Sequence, residues 1–227
     1  MSNREPEPLL HSKILILGAG HFGQLAAGRL TRRFPLAHFT VIDTREDRLK
    51  KVREELGLEC LQQDSVAHIA QAHLSADTWI VPAVPVHVAF EWLVLRLKEK
   101  GVVKRLSVPP AVDSQIPNPM RVPSGTVYTS HATWICPDAC NEPADVCSHT
   151  QKPRRGNLFE QLAAIKVPDF QALVMQSRQL APGVGGYPFQ ALENLLTQTG
   201  QAPGCYLIAT ACRCHGVVDC LNWERKS

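Results

Sequence analysis

Short apolar runs alternate with amphipathic segments over the first hundred residues of the chain. Apolar runs predict β-strands at residues 13–17, 38–42, 58–61, 78–81 and 102–108. Helical spacing of apolar side chains predicts helices at residues 24–33, 46–56, 67–74 and 86–100. Alternation of strand and helix is typical of α/β proteins with a doubly wound parallel sheet and helices on both faces.

The pattern is interrupted after residue 108 and returns near the C-terminus. Residues 109–124 hold five of the 17 prolines of the chain, and residues 136–157 are rich in cysteine, proline and charge with little periodicity. Regular patterning then predicts a strand at 170–175, a glycine loop at 181–186, a helix at 189–197 and a strand at 206–211. We expect this C-terminal βαβ unit to extend the first sheet.

A glycine-rich loop connects the first predicted strand to the first helix. Gly18, Gly20 and Gly23 form a GxGxxG pattern, and Asp43 ends the next strand twenty residues after Gly23. This order is that of a dinucleotide-binding βαβ unit. We expect Gly18 to allow the tight turn, Gly20 to admit the pyrophosphate to the backbone, and Gly23 to let the helix pack on the sheet.

The residues after the second strand bear on the choice of dinucleotide. Asp43 can accept hydrogen bonds from ribose hydroxyls and would repel a 2′-phosphate, which favours NAD over NADP. Arg45 weakens this preference, because an arginine at that position could bind the phosphate.

Composition and charge exclude several classes of protein. The chain is 44% hydrophobic and 20% charged, with a formal net charge of +3, which is too balanced to indicate a nucleic-acid partner. The first 13 residues are polar and lack the apolar segment of a signal peptide. Because the longest apolar runs are also shorter than a membrane span, we expect a cytoplasmic protein without membrane insertion. Proteins with such sheets often dimerise, so we expect a homodimer.

Residues 13–98 resemble the NAD-binding TrkA-N (RCK-type) domain of Trk potassium-uptake regulators, within the Rossmann superfamily. The resemblance rests on the run Lys13–Gly23, on Val41-Ile42-Asp43 and on Asp64-Ser65. It implies a nucleotide held by Gly18, Gly20, Gly23 and Asp43, with Asp64 near the adenine. The sequence departs from the family pattern at 81–85, Val-Pro-Ala-Val-Pro. The second half is similar to uncharacterised Rossmann-plus-cysteine proteins, which imply no particular activity.

These observations predict three regions. Residues 1–108 form a dinucleotide-binding Rossmann domain. Residues 109–169 form an irregular segment rich in proline and cysteine that could hold a metal. Residues 170–227 form the C-terminal βαβ unit, packed on the same sheet.

Eight cysteines suggest metal or redox chemistry, because in a reducing compartment clustered cysteines seldom form structural disulfides. Three interpretations remain open: an iron–sulfur cluster, a zinc ion, or a reactive thiol pair without metal. No diagnostic ferredoxin or zinc-ribbon spacing separates them. The candidate metal ligands are Cys136, Cys140, Cys147, Cys212, Cys214 and Cys220.

Cys212 and Cys214 are also candidate catalytic residues. If they extend the strand at 206–211, their side chains share one face, and Cys212 lies at the carboxyl end of the strand. Ligands of open α/β sheets collect at that edge. We therefore expect this pair near the cofactor, provided that the strand joins the first sheet in parallel. His87, after the fourth strand, is a candidate acid or base, although the start of a helix favours a structural role for it.

The resulting hypothesis is an NAD(H)-binding redox protein of the NAD-dependent oxidoreductase type. It would couple the nicotinamide to a cysteine-ligated metal or thiol centre, or to an unknown small substrate. One alternative is a nucleotide-sensing regulatory module with a structural zinc site. Another is a factor that carries metal or sulfur.

Overall fold

The computed structural model describes residues 12–226. The N-terminal stretch for which we expect no signal peptide lies almost entirely outside the described residues. The strands in residues 12–226 are β1 Lys13–Leu17, β2 His38–Asp43, β3 Glu59–Gln62, β4 Trp79–Pro82, β5 Gly101–Leu106, β6 Met120–Arg121, β7 Val127–Ser130, β8 Phe170–Gln176, β9 Arg178–Ala181, β10 Val184–Pro188, β11 Gly204–Ala211 and β12 His215–Arg225. The helices are α1 His21–Arg33, α2 Glu46–Leu56, α3 Ser65–Gln71, α4 Val88–Lys98, α5 Leu158–Ala163 and α6 Phe189–Gln201, with a 3-10 helix at Pro110–Gln115.

The chain divides into two compact units, each of which is discontinuous in sequence. Among residues 12–226, the first contains those up to Pro85 together with Arg178–Gln190. The second contains Val86–Ser177 and the residues from Ala191 onward. Among the described residues, no helix is both long and apolar enough to cross a membrane.

A six-stranded sheet in the order β3-β2-β1-β4-β10-β9 forms the first unit. Strands β1 to β4 are parallel, whereas β10 runs antiparallel to β4. Ile14 to Leu17 of β1 are all buried, as expected for a central strand covered on both faces. The predicted α/β class with a parallel sheet is therefore confirmed.

Apolar residues of α1 and α2 pack on one face of this sheet. Ala27 and Leu30 of α1 and Leu49 of α2 belong to the same core cluster as Ile16 and Val41. The β9–β10 hairpin completes that cluster with three further buried residues: Leu180, Ala181 and Val184. The first unit thus depends for its core on a segment that lies far away in sequence.

The second unit is built on a separate sheet with the order β6-β7-β12-β11-β8, in which β5 also pairs with β12. The long strand β12 pairs with β7 near its start and with β5 near its end. The 3-10 helix and α5 pack on one face of the sheet. The core cluster on this face consists of Val108, Val112, Ile116, Val127, Leu158, Leu162, Ile165, Leu207, Ala209, Ala211, Val218 and Cys220.

Strand β5 corrects the predicted boundary at residue 108. We expected it to be a fifth strand of the first sheet, but it pairs antiparallel with β12 in the second unit. Its burial explains this placement, because Val102, Lys104 and Arg105 are exposed. A strand with one solvated face suits an antiparallel sheet better than the interior of a parallel one.

The C-terminal region also differs from the prediction of one continuous sheet. Strands β8 and β11 are parallel neighbours with α6 between them in sequence, so the βαβ order is present. Both strands lie in the second sheet, however, whereas the hairpin β9–β10 between them joins the first. Local apolar runs specify strands but not their partners. The premise that placed Cys212 at the cofactor edge of the first sheet is therefore wrong.

Candidate nucleotide-binding site and cysteine cluster

The glycine loop between β1 and α1 is tightly packed at two of its three glycines. Gly18 has a φ of +103°, and a Cβ atom there would lie 2.6 Å from the carbonyl oxygen of Ala83. A Cβ atom at Gly23 would lie 1.9 Å from the carbonyl oxygen of Gly18. Neither position has room for a side chain, so these glycines fix the turn and bring α1 close to the loop.

Gly20 differs because the space beside it is open. The nearest atom to a Cβ placed there would be Nη1 of Arg48, at 3.7 Å. Gly20 is also the N-cap residue of α1, and it has no side chain that could satisfy the first amides of the helix. These amides and the helix dipole favour an anion at this point.

Asp43 links the end of β2 to the glycine loop. Its side chain is 7% exposed. Oδ2 accepts a hydrogen bond from the Ala19 amide at 2.7 Å, and Oδ1 accepts one from the Arg45 amide at 2.9 Å. A carboxylate oxygen can accept more than one hydrogen bond, so Asp43 keeps capacity for a ligand hydroxyl.

The two arginines after Asp43 have different environments. The Arg45 guanidinium forms a bidentate ion pair with Asp47, at 3.1 and 2.7 Å. Nη1 of Arg48 lies 3.7 Å from Oδ2 of Asp43. Arg48 was not predicted as a site residue, because a charged residue in the first turn of a surface helix carries no distinguishing signal.

A cleft of about 510 Å³ opens beside these residues in the first unit. Its volume is in the range of small-molecule sites. Four segments form its wall: the glycine loop with the start of α1, the first turn of α2, the end of β4 with the turn after it, and the tip of the β9–β10 hairpin. The lining residues are Gly20, His21, Phe22, Ala26, Arg48, Val81, Pro82, Ala83, Val84, Pro85, Gly183, Val184 and Gly185.

The tip of the hairpin lies within the glycine loop predicted at residues 181–186. Gly183 has a φ of +66° and, with Gly185, adds backbone rather than side chains to the cleft wall. Arg29 of α1 donates a hydrogen bond to the Pro182 carbonyl at 2.6 Å, which fixes the hairpin on the helix. The glycines at 183–186 were the feature of the sequence that could have indicated a place for this turn beside a ligand.

Asp64 caps a helix in the structure. It is the N-cap residue of α3, and its Oδ1 accepts a hydrogen bond from the Ala67 amide at 2.7 Å. Caps of this kind stabilise the first turn. Its position near an adenine stays a prediction.

His87 belongs to a buried polar network in the second unit. Its Nδ1 lies 2.9 Å from Oδ2 of Asp219, and its Nε2 lies 2.9 Å from the Thr210 hydroxyl. The Thr126 hydroxyl donates to the other Asp219 oxygen at 2.6 Å. Because His87 and Asp219 are buried, this network fixes the start of α4 to β11 and β12. A role for His87 as an acid or base stays a prediction.

Cys212 and Cys214 lie in the turn between β11 and β12 rather than on an extended strand. Strand β11 ends at Ala211, and the Cys212 amide donates to the His215 carbonyl at 2.9 Å, which closes the hairpin. Burial and the nearby Glu142 raise the pKa of the Cys212 thiol to about 12. Burial also raises the pKa of Cys214. Neither environment activates a nucleophilic thiolate at neutral pH.

The other predicted ligands fall into two groups. Cys220 is buried in the apolar core of the second unit, and burial raises the pKa of its thiol to about 12. Cys136, Cys140 and Cys147 lie in the irregular segment between β7 and α5 and are partly exposed. Within residues 12–226, no three potential ligand groups already surround a common point where a metal ion could sit.

Comparisons with known proteins divide the chain near the boundary of the first unit. The family model described as "TrkA-N domain" matches residues 14–86, which confirms the resemblance of this segment and indicates a nucleotide-binding module. The family model described as "Uncharacterized protein, C-terminal domain" matches residues 89–224. A relative from Archaeoglobus fulgidus, described as an uncharacterized protein, is 28% identical over 225 residues, which cover 92% of this chain and 98% of the relative.

Proposed function

The chain belongs to the protein family described as "Uncharacterized protein, C-terminal domain", and from its own side chains we propose that its first unit binds NAD(H) as a regulatory module. TrkA-N domains generally bind NAD(H), and this unit carries the TrkA-N match. The observation that carries the proposal is the open side of Gly20. Because no side chain fills the space beside Gly20, the N-terminal amides of α1, which no side chain caps, border a cleft large enough for a nucleotide.

The residues of the cleft fit the parts of a dinucleotide. The N-terminal amides of α1 would bind the pyrophosphate, for which the glycine loop leaves space. Asp43, at the end of β2, would accept hydrogen bonds from the adenosine ribose. The turn at Val81–Pro85 and the hairpin tip would border the remaining half of the ligand with apolar side chains and glycine backbone. The bound nicotinamide would supply hydride chemistry, whereas the protein holds and orients it.

The charges around Asp43 favour NAD(H) over NADP(H). A carboxylate at this position repels a 2′-phosphate. Arg45, which could otherwise bind that phosphate, is already paired with Asp47. Arg48 lines the cleft and would contribute its positive charge to the pyrophosphate.

A redox role is the second candidate, and the concentration of thiols in the second unit favours it. In this role a hydride from NADH, together with one proton, would reduce a disulfide to two thiols and leave NAD⁺. The two functions differ in one observable, because a regulatory module binds NADH without oxidising it. Mixing the protein with NADH and a disulfide acceptor, and following nicotinamide absorbance, separates them.

The proposal is tested by calorimetric titration with NADH, NADPH and ADP. Gly20 has a φ of −70°, which alanine tolerates, so Gly20→Ala should fold while its methyl group intrudes on the cleft. We expect this variant to bind NADH about tenfold more weakly or worse, a loss of about 1.4 kcal/mol.

Gly28→Ala is the matched control, because a Cβ atom at Gly28 of α1 would meet nothing within 4 Å. It should bind NADH like the wild type and be more stable by about 0.5–1 kcal/mol. Absence of NADH binding by the wild type, or equal binding by Gly20→Ala, would contradict the proposal.

A further inference from the structure

Residues 131–157 follow a defined path without an apolar core of their own. None of these residues is buried, and the segment contains almost no helix or strand. Ordering the backbone of one residue costs about 1–2 kcal/mol, which is normally offset by apolar burial. Small segments that lack such burial are commonly held by a metal or by disulfides. All eight cysteines are free thiols in this structure.

Backbone hydrogen bonds attach both ends of this segment to the turn between β11 and β12. The His131 amide donates to the Cys214 carbonyl at 2.9 Å, and the Leu158 amide donates to the Arg213 carbonyl at 3.0 Å. From the middle of the segment, Glu142 Oε1 accepts from the Arg213 amide at 2.5 Å. Cys214 is thereby held among the thiols of the irregular segment.

Four sulfur atoms influence one another electrostatically in this region. Burial is the largest cause of the raised pKa of Cys136, and negative charge on Cys140, Cys214 and Cys147 raises it further. Negative charge on Cys140 likewise raises the pKa of the Cys214 thiol. The Arg154 guanidinium donates a hydrogen bond to the Cys214 sulfur. The four thiols therefore form one cluster, with a cation beside it that can offset accumulated negative charge.

Hydrogen-bond donors face two of the four sulfur atoms. The Cys140 sulfur accepts a hydrogen bond from the Glu142 amide at 3.4 Å. The Cys147 sulfur accepts from the Thr150 hydroxyl and from the Thr150 and His149 amides, which lower its pKa. Thiolates held by N–H donors are suited to be metal ligands, because the thiolate is the form that binds.

We propose a four-thiolate site for a thiophilic metal centre, either one zinc ion or an iron–sulfur cluster, formed by Cys136, Cys140, Cys147 and Cys214. Each thiol releases its proton on ligation. Binding requires rotation of the cysteine side chains toward a common point and movement of Arg154 away from the Cys214 sulfur. The Nε2 atom of His131, which is buried without a hydrogen-bond partner, can then donate to a metal-bound thiolate.

Two other cysteines of the second unit have different surroundings. The Cys212 thiol donates a hydrogen bond to the Glu142 carboxylate, which favours the protonated form of the thiol. Cys220 lies in the apolar core on the inner side of β12.

The test begins with iron, zinc and sulfide analysis of the whole protein purified without oxygen. We expect about one centre per chain, with either zinc and no sulfide, or iron with acid-labile sulfide. Cys136→Ser, Cys147→Ser and Cys214→Ser should each lose at least tenfold in bound metal. Cys212→Ser and Cys60→Ser, in which the changed thiol lies outside the cluster, should keep the metal.

A second measurement does not depend on variants that could misfold. Chelation of the wild-type protein should increase the rate of proteolytic cleavage within residues 131–157 by at least tenfold, and restoring the metal should reverse this change. A wild-type protein without metal would overturn the proposal. So would a Cys212→Ser variant that loses metal as fully as Cys214→Ser.

Discussion

Three glycines in one loop are required for three different physical reasons. Gly18 adopts a φ that side chains disfavour, Gly23 lies against the carbonyl of Gly18, and Gly20 borders open space. Only substitution at Gly20 separates ligand binding from folding. The sequence motif predicts all three positions, but the distances that distinguish them appear only in the structure.

Asp43 provides a prediction at the residue scale. Asp43→Asn removes the charge that opposes a 2′-phosphate, so the affinity for NADPH relative to NADH should rise by about tenfold, or about 1.4 kcal/mol. Asparagine has only one side-chain oxygen, so one of the two hydrogen bonds that Asp43 accepts from the Ala19 and Arg45 amides is lost. This loss should lower the free energy of unfolding by about 1–3 kcal/mol. Calorimetric titration and urea unfolding measure the two effects.

Asp64→Asn is the control for this change. Asparagine caps helices about as well as aspartate, and Asp64 is not predicted to face the 2′-phosphate. Neither the NADPH to NADH affinity ratio nor the stability should therefore change appreciably. An unaltered NADPH to NADH ratio in Asp43→Asn would place the ribose away from Asp43.

At the scale of elements, the choice of strand partners was the least predictable feature. Strands β5, β8 and β11 lie close to where their apolar runs predict them, yet all three belong to the second sheet. Strand β12 was not predicted, because it follows a cysteine-rich turn and carries charged residues such as Asp219. Pairing depends on residues far apart in sequence, whereas the patterns that identify strands are local.

The contact of β10 with β4 allows a prediction about an element. A Cβ atom at Gly186 would lie 2.8 Å from the Ile80 carbonyl oxygen and 3.0 Å from a Leu180 methyl group. Gly186→Ala should therefore force the two strands apart and lower the free energy of unfolding by about 1–3 kcal/mol. Thermal unfolding and faster hydrogen exchange of the Ile80 amide would detect this change.

Gly28→Ala again serves as the reference, because it adds the same methyl group in open space. If Gly186→Ala were as stable as Gly28→Ala, the close approach of β10 to β4 would not exist in solution.

At the scale of the whole molecule, the order of elements up to residue 82 was predictable, and the division into units was not. The glycine loop, the acid after β2 and the alternating pattern are local signals of the first unit. No local sequence pattern indicates that residues 178–190 belong to that unit. Nor does one indicate that the irregular segment is hydrogen-bonded to the turn that carries Cys214. The cysteines could be named as candidate ligands, but only the structure separates Cys214 from Cys212 and Cys220.

The divided first unit leads to a prediction about fragments. A fragment of residues 1–85 lacks three buried core residues, Leu180, Ala181 and Val184, and leaves β4 as an open edge. It should show no cooperative thermal transition by circular dichroism. The same fragment joined to residues 178–190 by a flexible linker of about a dozen residues should regain one.

A linker joined to a scrambled 178–190 sequence controls for added length. Cooperative unfolding of residues 1–85 alone would show that the hairpin is dispensable for the core.

The late position of the β9–β10 hairpin also has a consequence for the timing of synthesis. The strands β1 to β4 are made first, but the strand that covers the edge of β4 follows only after residues 86–177. At about 5–20 residues per second this interval lasts roughly 5–20 s, during which β4 can pair with other chains. The second unit is also completed late, because its central strands β11 and β12 follow the hairpin in sequence. Neither unit can form its whole sheet before these segments have been made, so the two sheets are completed one soon after the other.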